Sequence, residues 1–561
     1  MPGKSGRFAM IEQFLADDIH YMFGNPGTVE QGFLDSLEEY PQFRYIMGLQ
    51  ETIAVAMADG YARATKRPTV VQLHSGVGLG NGIGMMYQAM RGHAPLVVVA
   101  GEAGIKYDAM DAQMAADLVS MAKPVTKWAT RVVDPRSLLR VLRRAIKIAG
   151  TPPMGPVFVC VPADVLDADN DEPIFPTSIP ETRVAPAPEL IGRAADMLVG
   201  AQHPMIIIGD GIAFSRAQDE LARVAEMLGA EVWGADASET NLSFTHPLWK
   251  GMLGHMFGAS SSKWSTKADA VLIAGTYVFP EVFPYFEDVF NADAKIVHID
   301  LNAYEIAKNF PVDLGIVSDP KVTLGALADA LASRQNESQK QAAQARLLAS
   351  RSASDAALQQ QLDHDRAVRG ETPMHASVFM EELSKHVPKD VMIFDEALTV
   401  SPDVTRYMPP TLPDHFFQTR GGSLGVGIPG ALGIKVAHPD KTVIGFTGDG
   451  GSMYTIQALW TAAHFKIGAK FVICNNQSYM LLKLNILQYW KDQIGEPAHQ
   501  FPHSFDLGDP VIDFAALSRS MGVPAVRVDR PEQVADAVKQ MLETDGPFLV
   551  DMVISNHVPG T

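Results

Sequence analysis

The chain has 561 residues, 47% of them hydrophobic and 20% charged, and at roughly 150 residues per domain that length predicts three or four separate cores. Its 46 Lys and Arg stand against 64 Asp and Glu, a formal charge of −18. That balance argues against nucleic acid or a membrane surface as partner and for a soluble enzyme. The two cysteines, Cys160 and Cys474, sit in the apolar runs VFVCVP and FVICNN and read as buried thiols, with no disulfide framework and no zinc spacing, as in a reducing cytosol. Glu12 and Asp17 interrupt the first apolar stretch, and no run reaches the roughly 18 apolar residues of a membrane span. Neither an export signal nor a membrane anchor is expected, and the expected location is cytoplasmic.

From Phe8 to about residue 165, strand-like runs alternate with helical segments: YMFGNPG, FRYIMGL, the helix ETIAVAMADGYARATKR, then PTVVQLHSG, APLVVVAG and PVFVCVP. Strands separated by helices of this length predict a parallel sheet covered on both faces. A second set begins near Glu189 with PMIIIGDG, AEVWGA, ADAVLIAG and KIVHIDL, spaced by amphipathic stretches such as QDELARVAEMLG. Residues 332–369 turn Gln-, Ala- and Ser-rich without Gly or Pro, which predicts a solvated, largely helical linker. Strand–helix alternation then returns with DVMIFDE, KTVIGFTGDGG, AKFVICNNQ and GPFLVDMVIS. The expected fold class is α/β, three doubly wound parallel-sheet domains over 1–185, 186–335 and 371–561, with a linker over 336–370.

The segment from Lys441 to Tyr479 reads strand, tight glycine turn, amphipathic helix, strand. Asp449 falls where the first strand ends, and Gly448, Gly450 and Gly451 let backbone N–H groups approach a ligand without Cβ interference. Met453, Ile456, Leu459, Trp460 and Ala463 predict one apolar helix face, so that the helix N-terminus points at whatever the turn binds, a phosphate by preference. The second strand ends in Asn475-Asn476, and adjacent parallel strands bring Asp449 and Asn476 to one carboxyl edge. A carboxylate, an amide oxygen and a backbone carbonyl suit Mg²⁺ completed by diphosphate oxygens. Gly-Asp-Gly, the 24 residues from Gly451 through Cys474, then Asn-Asn resembles the thiamine-diphosphate-binding motif. Gly425-Val-Gly427-Ile-Pro-Gly430 matches the GxGxxG string of dinucleotide folds, but Pro429 in the would-be loop argues against it.

Thiamine chemistry also needs a carboxylate on the aminopyrimidine ring, and Glu51 opens the helix ETIAVAMADGYARATKR, where its bland alternative is an acidic first-turn residue. FGNPGT (23–28), LQE (49–51), ADGYAR (58–63), LHSGVGLGN (73–81), PVTKW (124–128), GPVFVCVP (155–162) and the DG–ALWTAA–NN region follow in order. Across nearly its whole length the chain resembles the thiamine-diphosphate enzymes of the pyruvate-oxidase and decarboxylase group, most of all the benzoylformate decarboxylases. The resemblance implies a pyrimidine-binding domain, a central domain and a diphosphate-binding domain. It also implies a cofactor lying between two subunits, hence a homo-oligomer, with a dimer of dimers usual. Glu51 would activate the pyrimidine, and Asp449, Asn476 and the Ser478 carbonyl would hold Mg²⁺. Leu424 in GGSLGVGIP would bend the cofactor. Glu396 and Thr399 align with the loop near the diphosphate, where Leu398 lacks the expected hydroxyl, and Gly448, Gly450, Gly451, Ser452 and Tyr479 complete the cofactor contacts. His74 and Thr28 are the candidates for proton transfer and for positioning a substrate carboxylate. Relatives carry serine at the Thr28 position, and a threonine there can equally cap the following helix.

The region matching the second active-site histidine of benzoylformate decarboxylase is GTYVFPEVFPYFEDVF, which has none. A missing acid–base group slows protonation of the acyl-anion equivalent and leaves it to attack a second carbonyl. Met480, Leu481, Leu482 and Leu484 suggest an apolar pocket for a medium-sized acyl group. The expected activity is decarboxylation of a 2-oxo acid, or carboligation of its acyl unit to an aldehyde or ketone. Alternatives are a 2-hydroxyacyl-CoA lyase, for which no Lys/Arg cluster stands out, an acetolactate-synthase-like carboligase, a flavin- or quinone-linked oxidase, and a non-catalytic relative.

Overall fold

The computed structural model describes residues 4–254 and 256–558. Three six-stranded parallel sheets carry the α/β architecture expected from the strand–helix alternation. In the first, β1 (Tyr21–Gly24), β2 (Arg44–Met47), β3 (Thr69–Leu73), β4 (Leu96–Glu102), β5 (Trp128–Arg131) and β6 (Val157–Pro162) lie in the order β2-β1-β3-β4-β6-β5. Its helices include α1 (Glu51–Thr65) and α2 (Ser75–Arg91). The interior strands are buried on both faces, which is why they read as unbroken apolar runs.

The chain forms two compact units, one of Met1–Pro180, Val368–Tyr407 and Gln418–Thr561, the other of Glu181–Ala367 and Met408–Phe417. The second unit holds β7 (Pro204–Ile208), β8 (Glu231–Ala235), β9 (Trp249–Leu253), β10 (Ala270–Ala274), β11 (Lys295–Asp300) and β12 (Leu314–Val317), ordered β9-β8-β7-β10-β11-β12. The Gln- and Ala-rich segment is one 31-residue helix, α3 (Glu337–Ala367), with Ala343 and Asp365 its buried residues. It is held by Arg346, which donates to the Leu228 carbonyl, and by Ser350, which donates to that of Pro247. The third sheet runs β13 (Met392–Glu396), β14 (Phe416–Gln418), β15 (Val443–Gly448), β16 (Lys470–Asn475), β17 (Ala525–Val528) and β18 (Phe548–Val553), ordered β14-β13-β15-β16-β18-β17.

The first and third sheets share a unit because two helices fit together at backbone distance. A Cβ on Gly433 of α4 (Gly427–Ala437) would stand 1.9 Å from the Met57 carbonyl oxygen of α1, and one on Gly60 would stand 2.1 Å from the Gly430 carbonyl oxygen. Glycine is the one residue that tolerates this approach. Arg63, 1% exposed, donates from Nη1 to the Gln418 carbonyl at 2.9 Å, with Asp59 3.8 Å away on the preceding turn. The ADGYAR string therefore serves packing between the two sheets. Gly433→Ala is expected to destabilise the protein by about 1–3 kcal/mol or more. Urea unfolding checks this, and a loss under about 0.5 kcal/mol would show that the helices can part without cost.

Candidate active site

Three clusters gather at the carboxyl ends of strands. In the first, Gln50 caps α1 by accepting the Thr52 N–H at 2.6 Å, which puts Glu51 at the helix start, 8% exposed. Glu51 Oε2 accepts from Asn81 Nδ2 at 3.0 Å, and a Cβ on Gly78 would lie 2.9 Å from Oε1. His74 follows β3 and caps the start of α2, with Ser75 after it in the left-handed region at φ 47°. Its Nδ1 lies 2.9 Å from Oε2 of the buried Glu30, whose Oε1 accepts the Gly101 N–H at 2.8 Å. Burial pushes the Glu30 carboxyl above its ordinary range, while the bond to His74 opposes that. Thr28 is exposed as the first residue of the Thr28–Glu30 turn, where Gly27 holds the capping position, so Thr28 is not the cap.

The second cluster lies where β15 and β16 end side by side, with Gly448 opposite Cys474. Asp449, 5% exposed, accepts the Gly450 N–H at 2.8 Å through Oδ1 and the Ser478 N–H at 3.1 Å through Oδ2. Asn476 Oδ1 accepts that same Ser478 N–H at 3.1 Å. Gln477, at φ 54°, makes the turn that points this N–H back at both oxygens. Burial pushes the Asp449 carboxyl up to about 6. Around Gly448 the space is open, whereas a Cβ on Gly450 would strike the Tyr479 ring at 2.4 Å. A cavity of about 250 Å³ adjoins the turn, lined by Asp449, Gly450, Met453, Asn475, Tyr479 and Phe514 among others. Asn475 donates to the fully buried Asp551 at 2.9 Å, which Arg527 also reaches at 3.1 Å.

The third cluster is the loop before α4. Glu396, 1% exposed at the end of β13, accepts the Gly425 N–H at 2.6 Å and the Gly427 N–H at 2.5 Å. A Cβ on Gly451 would stand 2.6 Å from Glu396 Oε1, so the carboxylate that holds the loop carrying Leu424 also packs against the Asp449 turn. Burial pushes Glu396 up to about 7, against those two backbone bonds. The other end of the loop is tied to α2, where Gln88 Oε1 accepts the Arg420 N–H at 2.6 Å. Leu424 is half-buried and outside the core. Thr399 is half-buried, next to Leu398 at φ 51°.

Several expectations need correction. The helix expected between the glycine turn and Asn475 is broken: Asp449–Ser452 is one short helix, residues 453–457 form turns, and Ala458–His464 is another. The Thr455 hydroxyl donates to the Gly425 carbonyl at 2.6 Å and ties down the interruption. Ile456 and Leu459 are buried as expected, but Met453 is 42% exposed. Ser452 is fully buried and its hydroxyl donates to the Asp449 carbonyl at 2.8 Å, so that hydroxyl faces no ligand. In α5 (Met480–Tyr489), Met480 alone is buried, and Leu482 and Leu484 are exposed. Glu30 and Asn81 went unassigned in the sequence. Asn81 closes the LHSGVGLGN string, while nothing local marks Glu30, because its partners His74 and Gly101 are distant in the chain. No hydrogen bond or ion pair among the described residues joins the Glu51 cluster to the Asp449 cluster.

Comparison with known proteins gives the family of the chain. Residues 4–121, 191–327 and 399–552 match the N-terminal TPP binding domain, the central domain and the C-terminal TPP binding domain of the thiamine pyrophosphate enzymes. The chain belongs to that family. It is 29% identical to benzoylformate decarboxylase of Pseudomonas aeruginosa over 95% of both chains. It is 28% identical to the acetolactate synthase large subunit of Corynebacterium glutamicum, over 99% of this chain and 87% of that one. Among solved structures, a thiamine diphosphate-dependent 4-hydroxybenzoylformate decarboxylase of Rhodococcus jostii superposes with a TM-score of 0.85 at 26% identity, covering 98% of this chain and 99% of that one. No helix among the described residues is long and apolar enough to cross a membrane.

Glu396→Gln keeps the shape but turns an amide NH₂ toward one of the two loop N–H groups. The expected cost is about 1–3 kcal/mol of stability together with weaker binding of thiamine diphosphate, read by thermal unfolding and by cofactor titration. Unchanged values in both would free Glu396 from its part in holding the loop.

Proposed function

We infer that this chain is a thiamine-diphosphate- and Mg²⁺-dependent lyase that removes CO₂ from a 2-oxo acid and either releases the aldehyde or joins the acyl unit to an aldehyde or ketone. The observation that carries this reading is the pairing of Glu51, buried with Oε1 unengaged by any hydrogen bond among the described residues, with an oxygen site at Asp449 and Asn476. Bound thiamine diphosphate supplies a carbon nucleophile that adds to a carbonyl and accepts the electron pair released with CO₂. Glu51 holds and moves the proton of the aminopyrimidine, since a carboxylate at that place can both accept and return it. The Asp449 and Asn476 oxygens, converging on one N–H, suit a hard divalent cation. The Ser478 carbonyl, which accepts from Met480 at 2.8 Å, keeps a lone pair for the same ion. Gly448 leaves room for the diphosphate, Gly450, Gly451, Ser452 and Tyr479 shape the turn beneath it, and Thr399 flanks it. Leu424, on a loop held by Glu396, is placed to bend the cofactor.

His74 gives and takes protons at the substrate, and the exposed Thr28 hydroxyl positions the substrate carboxylate. Apolar side chains beside both half-sites are exposed in the single chain, Leu49 and Val77 near Glu51 and Met453 and Tyr454 after the Asp449 turn. That supports a homo-oligomer in which the pyrimidine half of one subunit meets the diphosphate half of another, a dimer of dimers in the cytoplasm. The close match to an acetolactate synthase and the absence of histidine from residues 275–290 favour carboligation as a second outcome of the same site.

Purified enzyme with thiamine diphosphate and Mg²⁺ is expected to evolve CO₂ from an aromatic or medium-sized apolar 2-oxo acid, and to form a 2-hydroxy ketone once an aldehyde is added. Glu51→Gln is expected to cut turnover on the order of 10²-fold or more with folding intact, and His74→Ala to impair both routes. No CO₂ from any member of a 2-oxo acid panel, or near-native turnover in Glu51→Gln, contradicts the reading.

A further inference from the structure

We propose that Glu30 is the positioning residue that decides which ring nitrogen of His74 carries the proton, an inference that rests on the reading of His74 as an acid–base group. Glu30 is 3% exposed and both of its oxygens are committed. Oε1 accepts the Gly101 N–H at 2.8 Å, a donor fixed by the backbone of β4, and Oε2 lies 2.9 Å from His74 Nδ1. A carboxylate only accepts, so Nδ1 donates, and the neutral ring is left with its lone pair on Nε2, where a substrate proton can be taken up or returned. Glycines make room for this contact on both sides. A Cβ on Gly27 would stand 1.9 Å from His74 Nδ1, and one on Gly101 would stand 2.5 Å from Glu30 Oε1. Glu51 is the other carboxylate nearby, and the half-buried Tyr45 phenol, raised first by desolvation and then by both carboxylates, donates its hydroxyl to Gln72 Oε1 at 2.5 Å. Tyr45 is thereby kept neutral and spent on Gln72, which leaves Glu30 as the partner that orients His74.

The same geometry predicts an unusual order among variants. In Glu30→Gln the Gly101 N–H still needs an acceptor, so the amide oxygen turns to it and the NH₂ faces His74 Nδ1. Nδ1 must then accept, and the ring proton moves to Nε2. Glu30→Ala leaves Nδ1 with no partner and either tautomer open. The isosteric Glu30→Gln is therefore expected to lose turnover on the order of 10²-fold, more than Glu30→Ala, whereas a carboxylate that only fills space gives the reverse order. Nitrogen-15 spectra of the histidine-labelled holoenzyme, with the His74 signal assigned by its loss in His74→Ala, read the tautomer directly. Nδ1–H is expected in the native enzyme and Nε2–H in Glu30→Gln. The same tautomer in both, or a milder loss in Glu30→Gln than in Glu30→Ala, overturns the proposal. An inverted tautomer together with near-native turnover in His74→Ala overturns the acid–base reading of His74 instead of the contact. Should Glu30→Gln not fold, Gly27→Ala, whose methyl displaces the ring from Glu30, serves in its place. It is expected to abolish the single Nδ1–H tautomer, and a tautomer unchanged from native overturns the proposal.

Discussion

Buried negative charge without a protein cation is the constraint around which this molecule is arranged. Glu30, Glu51, Glu396 and Asp449 are each less than 9% exposed, and among the described residues none of them pairs with lysine or arginine. Their partners are backbone N–H groups, the amide of Asn81 and the imidazole of His74. A carboxylate taken out of water without a counter-charge costs several kcal/mol unless something else supplies the missing field. The raised carboxyls of Asp449 and Glu396 show that dipoles alone only partly offset it. Clusters with this deficit suit a cationic ligand, and the family to which the chain belongs binds thiamine diphosphate.

Parallel sheets make such clusters possible because, within each sheet, every strand delivers its last residue to the same edge. His74, Glu396 and the turn after Gly448 all lie at strand ends. Ser75, Leu398 and Gln477, non-glycine residues at positive φ, each sit within two residues of a group assigned to the site. Backbone held in that region is costly and persists where surrounding contacts dictate it. The glycine contact of α1 with α4 then fixes the sheet bearing Glu51 against the sheet bearing Asp449 and Glu396. Gln88 and Glu396 hold the Leu424 loop from its two ends.

How much of this could be read from the sequence depended on how completely each element is buried. Every interior strand of the three sheets stood out as an apolar run, because both of its faces are covered. Of the six edge strands, only Arg44–Met47 was read. Trp128–Arg131, Trp249–Leu253, Leu314–Val317, Phe416–Gln418 and Ala525–Val528 were missed, since an edge strand is short and most of these carry exposed or half-exposed positions. The glycine turn and Asn476 were legible because their spacing is local. The break after Ser452 was not, because it depends on Thr455 reaching Gly425, thirty residues away in sequence. Glu30 stayed hidden for the same reason, its partners lying 44 and 71 positions away.

Thermal unfolding of Asp449→Asn, without cofactor and with thiamine diphosphate plus MgCl₂, tests the idea of an uncompensated buried charge most directly. In the variant the amide oxygen keeps the Gly450 N–H and Asn476 Oδ1 still accepts the Ser478 N–H, so the relief of buried charge is set against a single amide NH₂ turned toward the Ser478 N–H. The account predicts a cofactor-free variant at least as stable as the cofactor-free native protein, with little of the gain that cofactor and Mg²⁺ give the native protein. A variant several degrees less stable without cofactor, yet stabilised by cofactor and Mg²⁺ as much as the native protein, would contradict it.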